Sequence, residues 1–325
     1  MIKYGVIGTG WITREFIEGS KAVGGLELSA VYSRTLEKGM EFAQQFGCNH
    51  VYTDLNDFAK SPIDAVYIAS PNSFHYEQSK FMLLNGKHVI CEKPITVTPE
   101  ELSELQGIAK QKGLVYMEAI MYLYSPARAR LIEAIKKIGN ITSAHFDFSQ
   151  LSSKYQEYKN GELPNIFNPK FATGCLMDLG IYCVYPTLDF FGMPERIISC
   201  AGLMKSKADG FGSSIIVYPD KQITLTYSKL GQSQSPSQIL GDKGTIKIGS
   251  ISQLNDIKTI YNDGSVETVT ERIPKVETMS FEAQGFYLYI TQQEKYSEIY
   301  DYASDLALNV NKTLKIIRKQ CSIRF

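Results

Sequence analysis

The sequence predicts an α/β Rossmann domain, a doubly wound parallel sheet, over residues 1–120, followed over residues 121–325 by an α+β domain with an open, mainly antiparallel sheet. Three observations carry this expectation. Short β-branched runs alternate with helical stretches in the first third of the chain, a Gly-x-Gly turn follows the first run, and from Ala144 onward strand follows strand with turn residues between.

The alternating runs are Ile2–Ile7, Leu26–Tyr32, Val51–Tyr52, Ala65–Ala69, His88–Cys91 and Val115–Glu118, with helical stretches at Leu36–Phe46, Ser73–Asn85 and Pro99–Lys112. A parallel crossover needs a helix to bring the chain back to the same end of the sheet, so this alternation encodes a parallel sheet. After Tyr116-Met117-Glu118 the pattern changes. An amphipathic helix is predicted over Ser125–Lys137, then strands over His145–Gln150, Arg196–Met204, Ser213–Tyr218, Gln222–Ser228, Ser237–Leu240 and Thr245–Ile248. Turn signals at Pro219-Asp220, Gly241-Asp242-Lys243-Gly244 and Asn262-Asp263-Gly264 let neighbours pair as hairpins. The tail, Tyr296–Arg318, reads as a helix that could pack back on the first domain.

Composition narrows the function classes. With 325 residues, 44% hydrophobic and 21% charged, the chain has the makings of a large core. Formal net charge is +0 and no Lys/Arg run tracks a phosphate backbone or an anionic membrane, so nucleic acid and membrane are not expected partners. The first residues read as a strand entering a turn rather than a secretory signal, and no apolar run approaches the roughly 18 to 20 residues that span a bilayer. A cytoplasmic protein is the expectation. Six scattered cysteines without Cys-x-x-Cys, and four histidines without metal-ligand spacing, read as free thiols and no structural metal.

The first strand runs into Gly8-Thr9-Gly10-Trp11-Ile12-Thr13. In a dinucleotide site the first glycine permits the tight turn, the second lets backbone approach the pyrophosphate, and the following helix offers free N–H groups to the anion. Thr13 stands where the fingerprint has a third glycine, so a β-branched residue must fit where helix and strand pack closely. The second strand ends in Ser33-Arg34, with Lys38 a turn later, and no carboxylate stands at the strand end to take the ribose hydroxyls of NAD. Ser33 can hydrogen-bond a 2′-phosphate and Arg34 can grip it while stacking on adenine, which points to NADP, with NAD the second choice. The bland reading is a solvated loop and helix start.

Ligands of open α/β sheets gather at the carboxyl ends of the strands. There the fourth strand ends in Ser70-Pro71-Asn72-Ser73-Phe74-His75 and the fifth in Glu92-Lys93-Pro94. Proline keeps the preceding lysine out of the helical region, so Lys93 is held extended at the crevice edge. Taken singly, Lys93 is a surface charge after a strand.

Read together, Gly-x-Gly after the first strand, Ser70-Pro71-Asn72 with His75, Gly86-Lys87-His88-Val89, Glu92-Lys93-Pro94, and Met117-Glu118-Ala119 with Pro126 resemble the Gfo/Idh/MocA family of NAD(P)-dependent oxidoreductases. The resemblance spans most of the chain, less clearly its final forty or so residues. It implies that Glu92 and Asn72 line the cofactor side, that Lys93-Pro94 can be a cis peptide, and that His75 either lies near the nicotinamide ribose or caps a helix. The family's second motif resembles Gly174-Cys175-Leu176-Met177-Asp178-Leu179-Gly180-Ile181-Tyr182, with Tyr182 where many members carry histidine. That looks like the branch containing glucose-fructose oxidoreductase and dimeric dihydrodiol dehydrogenase, and it implies Tyr182 as acid/base, Lys93 as the cation that polarises the substrate oxygen and tunes the phenol, and Asp178 one turn ahead on the same face. Asp178 also reads as a helix N-cap, Tyr182 as a packing aromatic, and Pro186 as a residue that kinks or ends the helix. Tyr124-Ser125-Pro126 stands where the family often has aromatic-His-Pro. Residues Tyr155–Phe171 read equally as a lid or a surface excursion. The resemblance implies an NADP-dependent dehydrogenase or reductase of a sugar, cyclic polyol or diol, in a homodimer or homotetramer; the competing reading is a dinucleotide-sensing regulator of the same fold.

Overall fold

A computed structural model describes residues 1–325. The early runs form the expected strands, β1 (Ile2–Ile7), β2 (Leu26–Tyr32), β3 (Val51–Tyr52), β4 (Ala65–Ile68), β5 (His88–Glu92) and β6 (Tyr116–Ala119), all parallel in the order β3-β2-β1-β4-β5-β6. The order reverses between β1 and β4, which makes their carboxyl ends the crevice of the sheet. Helices α1 (Trp11–Lys21), α2 (Leu36–Gln44), α3 (Leu55–Lys60), α4 (His75–Leu84), α5 (Pro99–Lys112) and α6 (Met121–Tyr124) complete this run. All four residues of β4 are buried, as expected of a central strand covered on both faces. The short α3 was not foreseen; Asp54 starts it by accepting the N–H groups of Asn56 and Asp57.

From Ser125 the chain builds a second unit: α7 (Pro126–Lys137), β7 (Ile141–Ser149), α8 (Tyr155–Lys159), a π turn at Leu176–Gly180, α9 (Ile181–Phe191), then β8 (Arg196–Leu203), β9 (Asp209–Val217), β10 (Gln222–Ser228), β11 (Ser237–Gly241), β12 (Gly244–Ser250), β13 (Asn255–Tyr261) and β14 (Val266–Thr270). The strands lie in the order β14-β13-β12-β11-β7-β10-β9-β8, antiparallel except where β10 pairs β7. The unforeseen β13 alternates buried and exposed residues over its first half, the mark of a strand with one face on the core. The inner face of the sheet packs on α9 through close approach of Gly180, where a Cβ would sit 3.0 Å from the Tyr227 ring. Arg128 of α7 grips the sealed carboxylate of Asp189 in α9 through Nε at 2.8 Å and Nη2 at 2.6 Å, a two-pronged bond that fixes the helix pair.

Two expectations need correction here. Pro186 does not end its helix, which runs on to Phe191 and stops at Gly192; it removes the N–H that the Tyr182 carbonyl would otherwise receive. By length and composition Pro169–Phe191 is apolar enough to cross a membrane, contrary to the sequence reading, but 83% of its most apolar window is buried inside the protein, which makes it a core helix. The stretch read as a lid or an excursion is anchored in this unit: Phe167 is fully buried against the rings of Tyr155 and Tyr158, and the Tyr158 hydroxyl accepts the N–H of Ser206 at 3.0 Å.

The compact units are Met1–Tyr124 with Pro274–Asp305, and Ser125–Ile273 with Leu306–Phe325. Thus α10 (Lys275–Thr291) and the first part of α11 (Gln293–Gln320) belong with the first domain. Close packing explains the return. A Cβ on Gly19 of α1 would meet that of Met279 in α10 at 2.9 Å, and Gly285 gives the same room to the ring of Tyr124. Tyr300 accepts the N–H of Tyr116 at 3.0 Å, fastening α11 beside β6.

Candidate functional site

The turn after β1 has the form a pyrophosphate requires. Gly8 has φ +105, and a Cβ there would come 2.5 Å from the carbonyl oxygen of Ala69, so only glycine fits. Gly10 is the N-cap of α1 without a side-chain cap, and nothing stands within 4 Å of where its Cβ would be, which leaves room for a ligand against backbone. Trp11 and Ile12 open the helix; Trp11 is exposed, with the ammonium of Lys275 4.0 Å from its ring. Thr13 fits after all, fully buried in the first turn, while the close helix contact falls to Gly19. At the end of β2, Ser33 is buried and Arg34 and Lys38 are exposed, flanking the start of α2, whose cap residue Thr35 makes no side-chain bond to the helix. A dinucleotide fits this cradle.

The next two loops are locked together. The buried imidazole of His75 places Nε2 2.8 Å from the Ser70 carbonyl and Nδ1 2.9 Å from the Pro94 carbonyl, tying the loop after β4 to the loop after β5. His75 therefore neither caps α4 nor has a ring nitrogen left for a ribose; it positions its neighbours, a correction to its place among the cofactor contacts. Burial lowers its pKa against the pull of the two carbonyls, so the ring is neutral at ordinary pH. Ser70 spends its hydroxyl on Gln78 at 2.6 Å, and Asn72 opens a short 3₁₀ turn at the rim. The buried carboxylate of Glu118 in β6 accepts the N–H of Ile95 at 2.9 Å, closing the far side of the Glu92-Lys93-Pro94 loop, in which Lys93-Pro94 is cis. Glu92 accepts the Tyr67 hydroxyl at 2.6 Å; burial raises its pKa and the neighbouring Lys93 pulls partly back. Lys93 is thus held at the carboxyl edge of the sheet by four residues that do not themselves need to react.

In the second unit, the motif from Gly174 to Tyr182 begins as a π turn. Gly174 lies against Asp209 of β9, whose buried carboxylate accepts the Leu176 N–H at 2.6 Å. Asp178 is not an N-cap: Asp209 satisfies the first turn, and the Asp178 carboxylate is instead bonded to the ammonium of Lys229, just past β10. Tyr182 follows four residues later, nearly buried, its ring edge-on to Phe148 at 5.5 Å. Four residues on an α-helix leave an offset of about 40°, which the wider π turn reduces, so Asp178 and Tyr182 share a face. Ser125, where the family often has histidine, is a buried N-cap accepting the Ala127 N–H at 3.2 Å ahead of Pro126.

The model of the GFO_IDH_MocA oxidoreductase family, NAD-binding Rossmann fold, matches residues 2–120, and that of the GFO/IDH/MocA C-terminal domain matches residues 127–247. This chain belongs to the GFO/IDH/MocA family. A relative from Bacillus subtilis (strain 168), scyllo-inositol 2-dehydrogenase (NADP(+)), is 36% identical over 324 residues, 99% of this chain and 98% of that protein. A trans-1,2-dihydrobenzene-1,2-diol dehydrogenase of Xenopus tropicalis is 28% identical over 256 residues, 76% of this chain and 75% of the relative. A solved 3-ketoreductase from Actinomadura kijaniata in complex with NADP superposes with a TM-score of 0.83 at 20% identity, covering 98% of this chain and 97% of that one.

Within this GFO/IDH/MocA chain, sequence reasoning missed Asp209, Lys229, Lys275 and Glu282, none of which lies in a motif. Burial pushes the Asp209 carboxyl up to about 6. A raised carboxyl pKa favours the folded state fully below the unfolded value and loses that contribution as pH rises through about 6. Compared with an Asp209→Asn variant, the wild-type protein is therefore expected to lose stability between pH 4 and about 7, read as the difference in urea midpoint across that range. Parallel curves for the two proteins would show that Asp209 does not titrate there.

Proposed function

We propose that this GFO/IDH/MocA protein is an NADP-dependent oxidoreductase that moves a hydride between the nicotinamide and a CH–OH carbon of a cyclic polyol, sugar or diol. The observation that carries the reading is the frame around Lys93, four side chains fixing the loop that carries it where a sheet of this order receives its ligand. The names of the Bacillus and Xenopus relatives, an NADP-dependent inositol dehydrogenase and a diol dehydrogenase, support the substrate class.

Gly8, Gly10 and the amino terminus of α1 would hold the pyrophosphate, and Ser33, Arg34 and Lys38 the 2′-phosphate. NADP, when bound, supplies the nicotinamide carbon that accepts or returns the hydride. Tyr182 exchanges the proton with the reacting hydroxyl at its phenol oxygen, and Lys93 contributes the positive charge that favours the oxyanion. An ordinary phenol, with a pKa of about 10, is a poor base at neutral pH, so the reaction needs that cation. In oxidation the C–H bond breaks with both electrons leaving as hydride, the O–H proton passes to the tyrosine, and a carbonyl forms; reduction is the reverse.

The polar outer face of the second sheet carries an apolar patch at its edge: Ile198, Leu203, Phe211 and Ile215 are exposed, with Ile198 and Ile215 paired across β8 and β9. We assign this patch to a second copy of the chain, as the family resemblance implies. Light scattering is expected to give a dimer or tetramer mass, shifted toward monomer by Phe211→Glu; a wild-type monomer at micromolar concentration would remove the assignment.

Two substitutions test the chemistry. Arg34→Ala should weaken NADP binding about tenfold or more and NAD little, and equal loss for both would remove the phosphate role. Tyr182→Phe should lower turnover on a responsive polyol or diol by about 10² or more while NADPH affinity holds, and an unchanged rate would exclude the phenol from the mechanism.

A further inference from the structure

Lys229 is the one lysine among the largest fully buried side chains, and no motif accounts for it. Its backbone N–H continues the β9–β10 ladder onto the Gly210 carbonyl at 2.9 Å, so its place is fixed by the sheet. Its side chain is 2% exposed, while that of its partner Asp178 is 31% exposed. The pair therefore shows its carboxylate outward and keeps its ammonium inside. A buried ammonium is costly unless paired. Two carboxylates meet that need, Asp178 directly and Asp209 through its field, and the thiol of Cys175 lies within the same cluster. Asp209 accepts the Leu176 N–H, and Asp178 lies one turn ahead of Tyr182 on the same face.

Resting on the oxidoreductase reading above, we propose that Lys229 is a positioning residue: it never meets substrate, but it holds Asp178 aimed so that the carboxylate binds a hydroxyl adjacent to the one that reacts. The consequence is a preference for substrates with neighbouring hydroxyls over simple alcohols. A purely structural lysine would instead serve only to neutralise Asp178 and Asp209.

The test measures binding without turnover. scyllo-Inositol, or failing that trans-1,2-cyclohexanediol or methyl α-glucoside, is titrated into the NADPH complex, a pairing that cannot react because alcohol and cofactor are both reduced. Lys229→Met is expected to weaken polyol binding about tenfold with NADPH affinity unchanged, and Lys229→Arg to recover most of it. The double variant Asp178→Asn with Lys229→Met should bind no worse than Asp178→Asn alone. That last comparison stands even if Lys229→Met does not fold, because the double variant leaves neither member of the pair charged. Wild-type affinity in Lys229→Met, or losses that multiply in the double variant, would overturn the positioning role and leave the oxidoreductase reading intact. A wild-type protein that takes NADPH but none of the three compounds overturns both.

Discussion

The imidazole of His75 spans the carbonyls of Ser70 and Pro94, and the working edge of the nucleotide-binding unit depends on that tie. A parallel sheet fixes its strands well but leaves the loops at their carboxyl ends to find their own partners, since the ladder bonds stop there. His75 joins two of those loops from inside, and Glu118 holds the second from its other flank through the Ile95 N–H. Because the ring is buried and neutral, it carries one proton between two acceptors, so packing as well as hydrogen bonding keeps it in place. The rigidity matters for Lys93: a long flexible side chain delivers charge to a chosen point only if its backbone cannot drift.

The second unit solves a similar problem with charge rather than with a ring. A π turn carries one residue more per hydrogen bond than an α turn, and such turns persist where the surroundings hold them. Here Asp209 takes the Leu176 N–H and Gly174 makes room for its carboxylate. The ladder beyond β10 then supplies Lys229 to Asp178. Burying ionisable groups is a poor way to gain stability, because desolvation opposes the gain from pairing. Their presence at this turn, and not in the apolar body of α9, fits a segment shaped by a task other than folding.

What could be read from the sequence was local. The β-branched runs, the Gly8 turn, the helical stretch from Pro99 to Lys112 and the Glu-Lys-Pro stop each announce themselves within a few residues, and a parallel sheet follows from their alternation. What escaped was set by distance along the chain. Ile95 and Glu118 are 23 residues apart, Leu176 and Asp209 33, and Asp178 and Lys229 51. No pattern in one sequence connects such partners, which is why Asp178 could be taken for a cap whose work Asp209 does. The return of α10 was hidden for the same reason: its evidence is the room left by Gly19 and Gly285, and a glycine within a helix signals close packing only once its neighbour is known.

The carboxylates of the first unit raise a final point of balance. Glu92 and Glu118 both act on Glu282 through their charge, and full negative charges packed so closely oppose one another. Glu282 is sealed with neither oxygen hydrogen-bonded, and burial together with the charge of Glu92 raises its pKa well above the usual range. Its surroundings thus favour the protonated form, while Glu92 is anchored by Tyr67 and Glu118 accepts a backbone N–H. On the opposite side of the ledger Lys275, two helical turns before Glu282, rests over Trp11 at the head of α1. A cation there adds to the positive end of the helix dipole, so the electrostatics favour an anion at the glycine turn.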